Sequence, residues 1–515
     1  MFTKVSQSRL LAMIIGSCFT GLWTLLRFFN TSSTFDLTTQ QVLAHSWLHG
    51  YSGVVSLGAT NYLLKVFLIY MPADLLPGSP LLKLIVVTLL INIATFLILF
   101  VVLQNILQEF KIKANGVFYG VMIWMTTIAG SLFWIEYANS RNLEVAGSML
   151  LVWGILRLIK RPKQAHFAGL IAVSGILFFA DSLTAYMVAL PLIVYVMLLL
   201  ILKKLVWKRL AMVAAIFSLG YLLSFGLNAV ARHFLHLQVN QPPTSGLSLQ
   251  PAVLGHAGKL AIQSTLRQFA GGPDAGHLRQ VVNLLFFGAG VVCFAVGAVR
   301  RKIPVDFSLL IVSFVIINEV IYIASGTVLQ ADTSRYLVII GPILVLALGS
   351  LDYIAKKSFI PYVILVVVVG FNGLFLGRAL ARYWDISFPM DGHLNSVSRY
   401  LKSHNYSYAL AGMNTASPLA YYNNNMGSLL MPVACGNSML VRADAFRDTS
   451  SFQRSGPDVQ IPIVLDGKVI SNVPSICTEQ MIITQLGLPL RNETTDDGST
   501  VLVFRNSQVV RLARP

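Results

Sequence analysis

The stretch LLKLIVVTLLINIATFLILFVVLQNILQEFKIK (Leu81–Lys113) carries no charged residue between Lys83 and Glu109 and ends on the bases Lys111 and Lys113. A helix of that length rises about 1.5 Å per residue, so it covers a hydrocarbon core of roughly 30 Å with length to spare. Basic residues directly after such a run mark a cytoplasmic edge. This one stretch predicts a membrane-spanning helix with an assigned direction.

The rest of the chain repeats the pattern. Of the 515 residues, 55% are hydrophobic and 11% charged, with a mean hydropathy of +0.70. Soluble domains carry about 25% charged residues, so a soluble globular protein is excluded. Apolar runs predict about eleven spans, at 10–28, 80–107, 116–134, 144–160, 166–181, 183–202, 210–230, 281–299, 306–324, 336–352 and 358–377. The first run exceeds the usual h-region of a signal peptide and has no small-residue cleavage site before Arg27, so it reads as a retained span.

Alternate ends of these spans carry Lys4 and Arg9, Lys111 and Lys113, Arg157 to Lys163, Lys203 to Arg209, Arg300 to Lys302, and Lys356 with Lys357. The positive-inside rule puts this set in the cytoplasm, the amino terminus with it and the carboxy terminus outside. A net charge of +17 otherwise invites a nucleic-acid reading, but the excess is spread over six short edges rather than gathered in one patch.

With sides assigned, WIEYANSRNLEVAG (Trp134–Gly147) falls in an outer turn and packs Glu136, Arg141 and Glu144 between two apolar runs. Asp36, Lys65, Asp181, Asp332 and Arg335 fall on the same side. Charge beside a membrane span is costly unless solvated or paired, so such clustering points to a functional site. Each residue also has a structural reading. Arg141 and Glu144 are spaced as a helical ion pair, and Asp181 and Asp332 are placed to cap helices. Asp36 differs, lying in a long amphipathic outer segment from Asn30 to Gly78 that fits re-entrant or interfacial helices.

The order of features resembles the GT-C superfamily of integral membrane glycosyltransferases, which use polyprenyl-phosphate-linked sugars and include protein mannosyltransferases and aminoarabinose transferases. The resemblance is carried by Asp36 after the first span, NYLLKVFLIYMP (Asn61–Pro72), SRNLE (Ser140–Glu144), ADSLTAYMVALP (Ala180–Pro191) and DTSRYLVIIGP (Asp332–Pro342). One acid opens the first outer loop here, where many relatives have an adjacent pair. The fold implied is a polytopic α-helical membrane protein of the GT-C type (1–377) followed by a small extracytoplasmic α/β domain (378–515).

The resemblance also implies a chemistry. A sugar on a lipid phosphate is already activated, so the enzyme needs a carboxylate to take the acceptor proton and cations for the departing phosphate. Asp36 is the candidate base. Lys65, Arg141 and Arg335 are candidates for the phosphate, and Glu136, Glu144 and Asp181 for positioning the sugar or those cations. The implied partners are a polyprenyl-phosphate sugar and a glycan, lipid or protein acceptor in the membrane, with no nucleic acid. No cofactor is certain, and a divalent metal stays open because some superfamily members use one. No GxxxxGK[ST] pattern occurs.

The segment Arg232–Gln280 is rich in breakers and reads as a long outer loop, with His233, His236, His256 and His277 in no compact ligand spacing and Arg267 able to approach a phosphate. After Arg378 polar and turn residues rise. Asp466-Gly467 in IPIVLDGKVIS and Asn506-Ser507 between TVLVFR and QVVRLA both read as hairpin turns. Cys435 and Cys477, on the oxidising side, are candidates for a disulfide, whereas Cys18 and Cys293 read as packing residues within spans. A lipid-linked saccharide flippase or a polysaccharide polymerase are the alternative readings. A flippase would place more polar groups at mid-span and show internal repeats.

Overall fold

A computed structural model describes residues 7–30, 40–41, 44–45, 48, 56–57, 63–128, 138–162, 164–182, 184–235, 238–239, 250–270, 276–324, 337–351, 359–384, 390–406, 408–412, 415–416, 419, 430–436, 439–442, 456–472, 475–510 and 512. Contacts divide the chain into two compact units. The first comprises Met1–Leu26, Thr88–Ala229 and Gln241–Arg382, and the second Arg27–Val87, Val230–Asn240 and Tyr383–Pro515.

The helices are α1 (Gln7–Asn30), α2 (Pro80–Glu109), α3 (Gly116–Thr127), α4 (Ala138–Lys160), α5 (Gln164–Ala180), α6 (Leu190–Ile201), α7 (Trp207–Leu235), α8 (Pro251–Ala270), α9 (His277–Val299), α10 (Val305–Ala324), α11 (Ile340–Gly349) and α12 (Ile360–Trp384). Among the described residues seven helices are long and apolar enough to cross a membrane, and four shorter apolar helices fall at the remaining expected spans. The segment between α7 and α9 differs from the expected loop. It contains α8, whose Ala257, Ala261, Ser264 and Gln268 form one buried face at helical spacing.

Glycines let some of these helices approach closely. A Cβ on Gly147 would lie 2.8 Å from Leu177, and one on Gly154 would lie 2.5 Å from Leu170. Small residues on α4 thus receive leucines of the antiparallel α5. Cys18 and Cys293 do not pack inside: both are free thiols on the exposed flanks of α1 and α9.

The basic ends share a construction. Ile112 N–H bonds to Leu107 O and Lys111 N–H to Gln108 O; Lys204 and Lys203 do the same to Leu199 and Leu200, and Lys302 and Arg301 to Gly297 and Ala298. These are Schellman closures, with Lys111, Lys203 and Arg301 in the left-handed region at φ 60°, 57° and 53° where glycine is usual. A cation at this position faces the negative end of its helix dipole, which offsets part of the backbone cost. Lys160 lies 3.7 Å from Glu109 and over the ring of Phe110, Phe110 meets Phe307 edge-on, and Lys204 pairs with Asp306. The basic ends of α2, α4 and α6 and the start of α10 are therefore held at one end of the first unit.

In the second unit, a six-stranded mixed sheet has the order β5-β4-β3-β6-β10-β9, from β3 (Ala409–Gly412), β4 (Leu430–Gly436), β5 (Met439–Arg442), β6 (Gln460–Leu465), β9 (Arg491–Thr494) and β10 (Thr500–Arg505). Two further pairs are β1 (Ser56–Leu57) with β2 (Gln238–Val239), parallel, and β7 (Val469–Asn472) with β8 (Ser475–Thr478), antiparallel. Alternate residues of β10 feed two cores. Val501 and Val503 pack with Val397 and Leu401 of α13 (Met390–Ser403) and with Leu84. Leu502 and Phe504 pack with Ile470, Cys477 and Ile482, the last on α14 (Glu479–Leu486).

The two expected hairpins come out differently. Gly467 takes φ 61° and the chain reverses through an Asp466–Val469 bridge, but β7 then pairs with β8 instead of continuing along β6. At Asn506 there is no hairpin. β10 already has β6 and β9 on its two sides, and Asn506–Val509 forms a helical turn in which Gln508 accepts from Arg505 N–H. Cys435 on β4 and Cys477 on β8 are bridged, with Cα atoms 5.5 Å apart.

Candidate functional site

Asp36, Glu136, Asp332 and Arg335 lie outside the described residues, as does the side chain of Arg141. The backbone of Arg141 is in the first turn of α4. Glu144, one turn further, is 6% exposed, and Asp181, just past the end of α5, is 2% exposed. Glu144 precedes Gly147 by three residues and Asp181 follows Leu177 by four, and Gly147 and Leu177 are in contact. The two acids therefore occur at the same end of the α4–α5 pair. Asp181 closes α5 with its N–H on Leu177 O at 2.8 Å and starts the next turn by accepting from Thr184 N–H at 3.0 Å.

A π-helical turn, Ala185–Ala189, follows. Such turns recur beside functional sites because they redirect the side chains around them. Here Asn318 of α10 donates to Met187 O at 3.1 Å, so an amide within an otherwise apolar helix fastens this turn. Its neighbour Glu319 accepts from Thr265 of α8 at 2.6 Å.

Lys65 belongs to the second unit. It ends the turn Leu63–Lys65, is 5% exposed, and leads into a second π-helical turn, Val66–Tyr70. A buried ammonium is retained where something anionic or polar receives it, which fits a binding role better than a solvated surface lysine. Beyond it, Asp74 accepts from His45 Nδ1 at 2.9 Å, and its backbone carbonyl accepts from Lys83 at 2.6 Å. Asp74 and Lys83 line a small hollow with Gln41 and Tyr70. His45, Asp74 and Lys83 are not among the residues the sequence singled out. They lie up to 38 positions apart, and only folding brings them together.

Two buried polar assemblies of the first unit involve the Trp134–Gly147 stretch and the helix before it. Within the carboxy-terminal half of the stretch, Asn142 donates to Asn92 of α2, Asn92 donates to Thr24 of α1 at 2.8 Å, and Thr24 donates to Thr20 O at 2.8 Å. On its amino-terminal side, Thr127 O, the last carbonyl of α3, accepts from Trp23 Nε1 at 3.1 Å and from Arg279 at 2.7 Å. Arg279 also donates to Asn372 at 2.7 Å, and Asn372 and Asn283 exchange hydrogen bonds. Sequence reading did not single out Arg279 or Thr127, since a base beside a loop looks solvated until its neighbours are known.

Arg267 is exposed on α8, and His233, His256 and His277 are exposed at separate places. Among the described residues no group of three His, Cys, Asp or Glu is placed to hold a metal ion.

No family profile and no curated protein sequence matches the chain. Among solved structures it is similar to the crystal structure of ArnT from Cupriavidus metallidurans bound to undecaprenyl phosphate. The TM-score is 0.54 at 12% identity, over 98% of each chain. This establishes the GT-C fold: a multi-pass helical region followed by a small carboxy-terminal sheet domain.

Proposed function

We propose that this protein is a GT-C glycosyltransferase that moves a sugar from a polyprenyl-phosphate donor to a glycan, lipid or protein acceptor of the cell envelope. The observation that carries the reading is the shared fold over nearly the whole of both chains with a protein solved on undecaprenyl phosphate. In this reading residues 1–377 form the catalytic membrane domain, 378–515 the extracytoplasmic domain, and transfer takes place at the outer face of the cytoplasmic membrane with the amino terminus inside.

The reaction is a single displacement. An acceptor oxygen attacks the anomeric carbon, the bond to the phosphate oxygen breaks, and configuration inverts. Asp36 takes the acceptor proton, a contribution worth about 10²–10⁴-fold. Lys65, Arg141 and Arg335 stabilise the leaving phosphate, the arginines through two parallel N–H donors. Glu136, Glu144 and Asp181 orient the sugar and these cations. The burial of Glu144 and Asp181 within the first unit, and separately of Lys65 within the second, supports these roles, because a charge in water-poor surroundings acts more strongly on a bound ion. The test is transfer of labelled sugar from synthetic polyprenyl-phosphate donors by the purified protein, wild type against Asp36→Asn.

A further inference from the structure

Arg279 is 5% exposed, and among the described residues all the partners of its guanidinium are neutral: Asn372 Oδ1, Thr127 O and the face of Trp23, 5.4 Å from Cζ. A buried cation without a carboxylate is costly unless another negative potential meets it. Thr127 supplies that potential, since it ends α3 and its carbonyl carries the negative pole of the helix dipole. One helical turn along, Asn283 accepts from Trp124 Nε1 at 3.1 Å and donates at 3.2 Å to Ala270 O, the last carbonyl of α8. The first turns of α9 thus hold the terminal carbonyls of two other helices, α3 and α8.

We propose that Arg279 is a positioning residue for sugar transfer, fixing the end of α3 from which the chain leads into Glu136, Arg141 and Glu144. The inference rests on the proposed function for its consequence, but its structural part stands on the contacts alone. Two donors on one carbonyl, Arg279 and Trp23, set the direction in which α3 ends. Nε and Nη2 of Arg279 are engaged by Asn372 and Thr127, which assigns the residue a role through Thr127 that the kinetics below separate from contact with the donor. A misplacement of about 1 Å in a reacting group costs about 10²-fold in rate, so a fixture of this kind shows in turnover.

The experiment compares full-length wild type, Arg279→Gln, Arg279→Lys and Trp23→Phe in detergent, by amide hydrogen exchange and by steady-state kinetics with a polyprenyl-phosphate sugar. Arg279→Gln is expected to speed exchange in 120–128, the end of α3, about ten-fold while exchange in 460–510 is unchanged, and to lower kcat about ten-fold or more with the donor KM within about two-fold. Arg279→Lys restores part of both. Should Arg279→Gln fail to fold, Trp23→Phe, which removes only the second donor, is expected to move both readouts in the same direction by less. Unchanged exchange in 120–128 overturns the fixture, and a raised KM at unchanged kcat overturns the positioning role in favour of donor contact. A wild type that transfers no sugar defeats the functional reading, while the exchange data still decide the fixture.

Discussion

Asn142 donates its side-chain amide to the carbonyl oxygen of Asn92, joining α4 to α2 two residues before Glu144. Both residues are fully buried, and Asn92 passes the chain of hydrogen bonds to Thr24 on α1. Three helices therefore share one polar seam where α4 begins. The seam explains why amides stand in otherwise apolar spans.

That pair should behave as a coupled unit. Asn142→Leu leaves Asn92 Oδ1 without this donor and should cost about 1–3 kcal/mol, and Asn92→Leu a similar amount. The double variant should cost clearly less than the sum, because it removes both ends of the bond. Thermal unfolding in detergent measures this, and strictly additive losses would contradict the seam.

The left-handed Lys111 and Arg301 make an opposite prediction for surface positions. Lys111→Gly and Arg301→Gly should leave stability unchanged or raise it by up to about 1 kcal/mol, since relief of a left-handed non-glycine residue outweighs the lost dipole contact. Lys111→Val should lower it, because a branched Cβ tolerates that backbone least. The ordering Gly, Lys, Val in melting temperature is the readout.

Gly220 tests close packing of α7 on α5. A Cβ there would sit 2.9 Å from Ser174 Cβ and 3.1 Å from the backbone nitrogen of Gly175, atoms that cannot swing away. Gly220→Ala should therefore cost about 1–3 kcal/mol by overpacking. Gly169→Ala on α5, with nothing within 4 Å, should instead gain from helix propensity. Equal effects at the two sites would contradict the crossing.

The Cys435–Cys477 bridge spans 42 positions, so its loss in Cys435→Ala/Cys477→Ala should destabilise the carboxy-terminal domain by about 3–4 kcal/mol on the chain-entropy account. Mass mapping of unreduced peptides from intact cells should find the pair bridged. Two free thiols would contradict both the bridge and the outer placement of the domain.

Much of this architecture was legible in the sequence because its signals are local. Uncharged runs such as 84–108 state their own length, and the apolar helices fall at the eleven expected spans. The tail was legible as strands, less so as a topology: Asp466-Gly467 does reverse the chain, but only the tertiary fold makes β7 leave β6 for β8. Asn506-Ser507 misled for the same reason, since β10 takes both neighbours from elsewhere in the chain. Of the candidate residues, Glu144 and Asp181 were singled out by charge at span ends, and both are buried at the same end of the α4–α5 pair. Arg279 was missed because its meaning lies in Thr127 and Asn372, 152 and 93 positions away.

The central claim is tested most directly by single-turnover transfer from a synthetic polyprenyl-phosphate sugar to envelope acceptor, comparing wild type, Asp36→Asn, Arg141→Ala and the exchange Arg141→Glu/Glu144→Arg. A purely structural Arg141–Glu144 ion pair keeps both charges when the two residues are exchanged and so tolerates the exchange, whereas a phosphate-binding arginine does not. The account predicts that Asp36→Asn and Arg141→Ala each lower transfer at least about 10²-fold at unchanged melting temperature, and that the exchange does not restore it. Near-wild-type transfer by Asp36→Asn, or recovery in the exchanged variant, would contradict it.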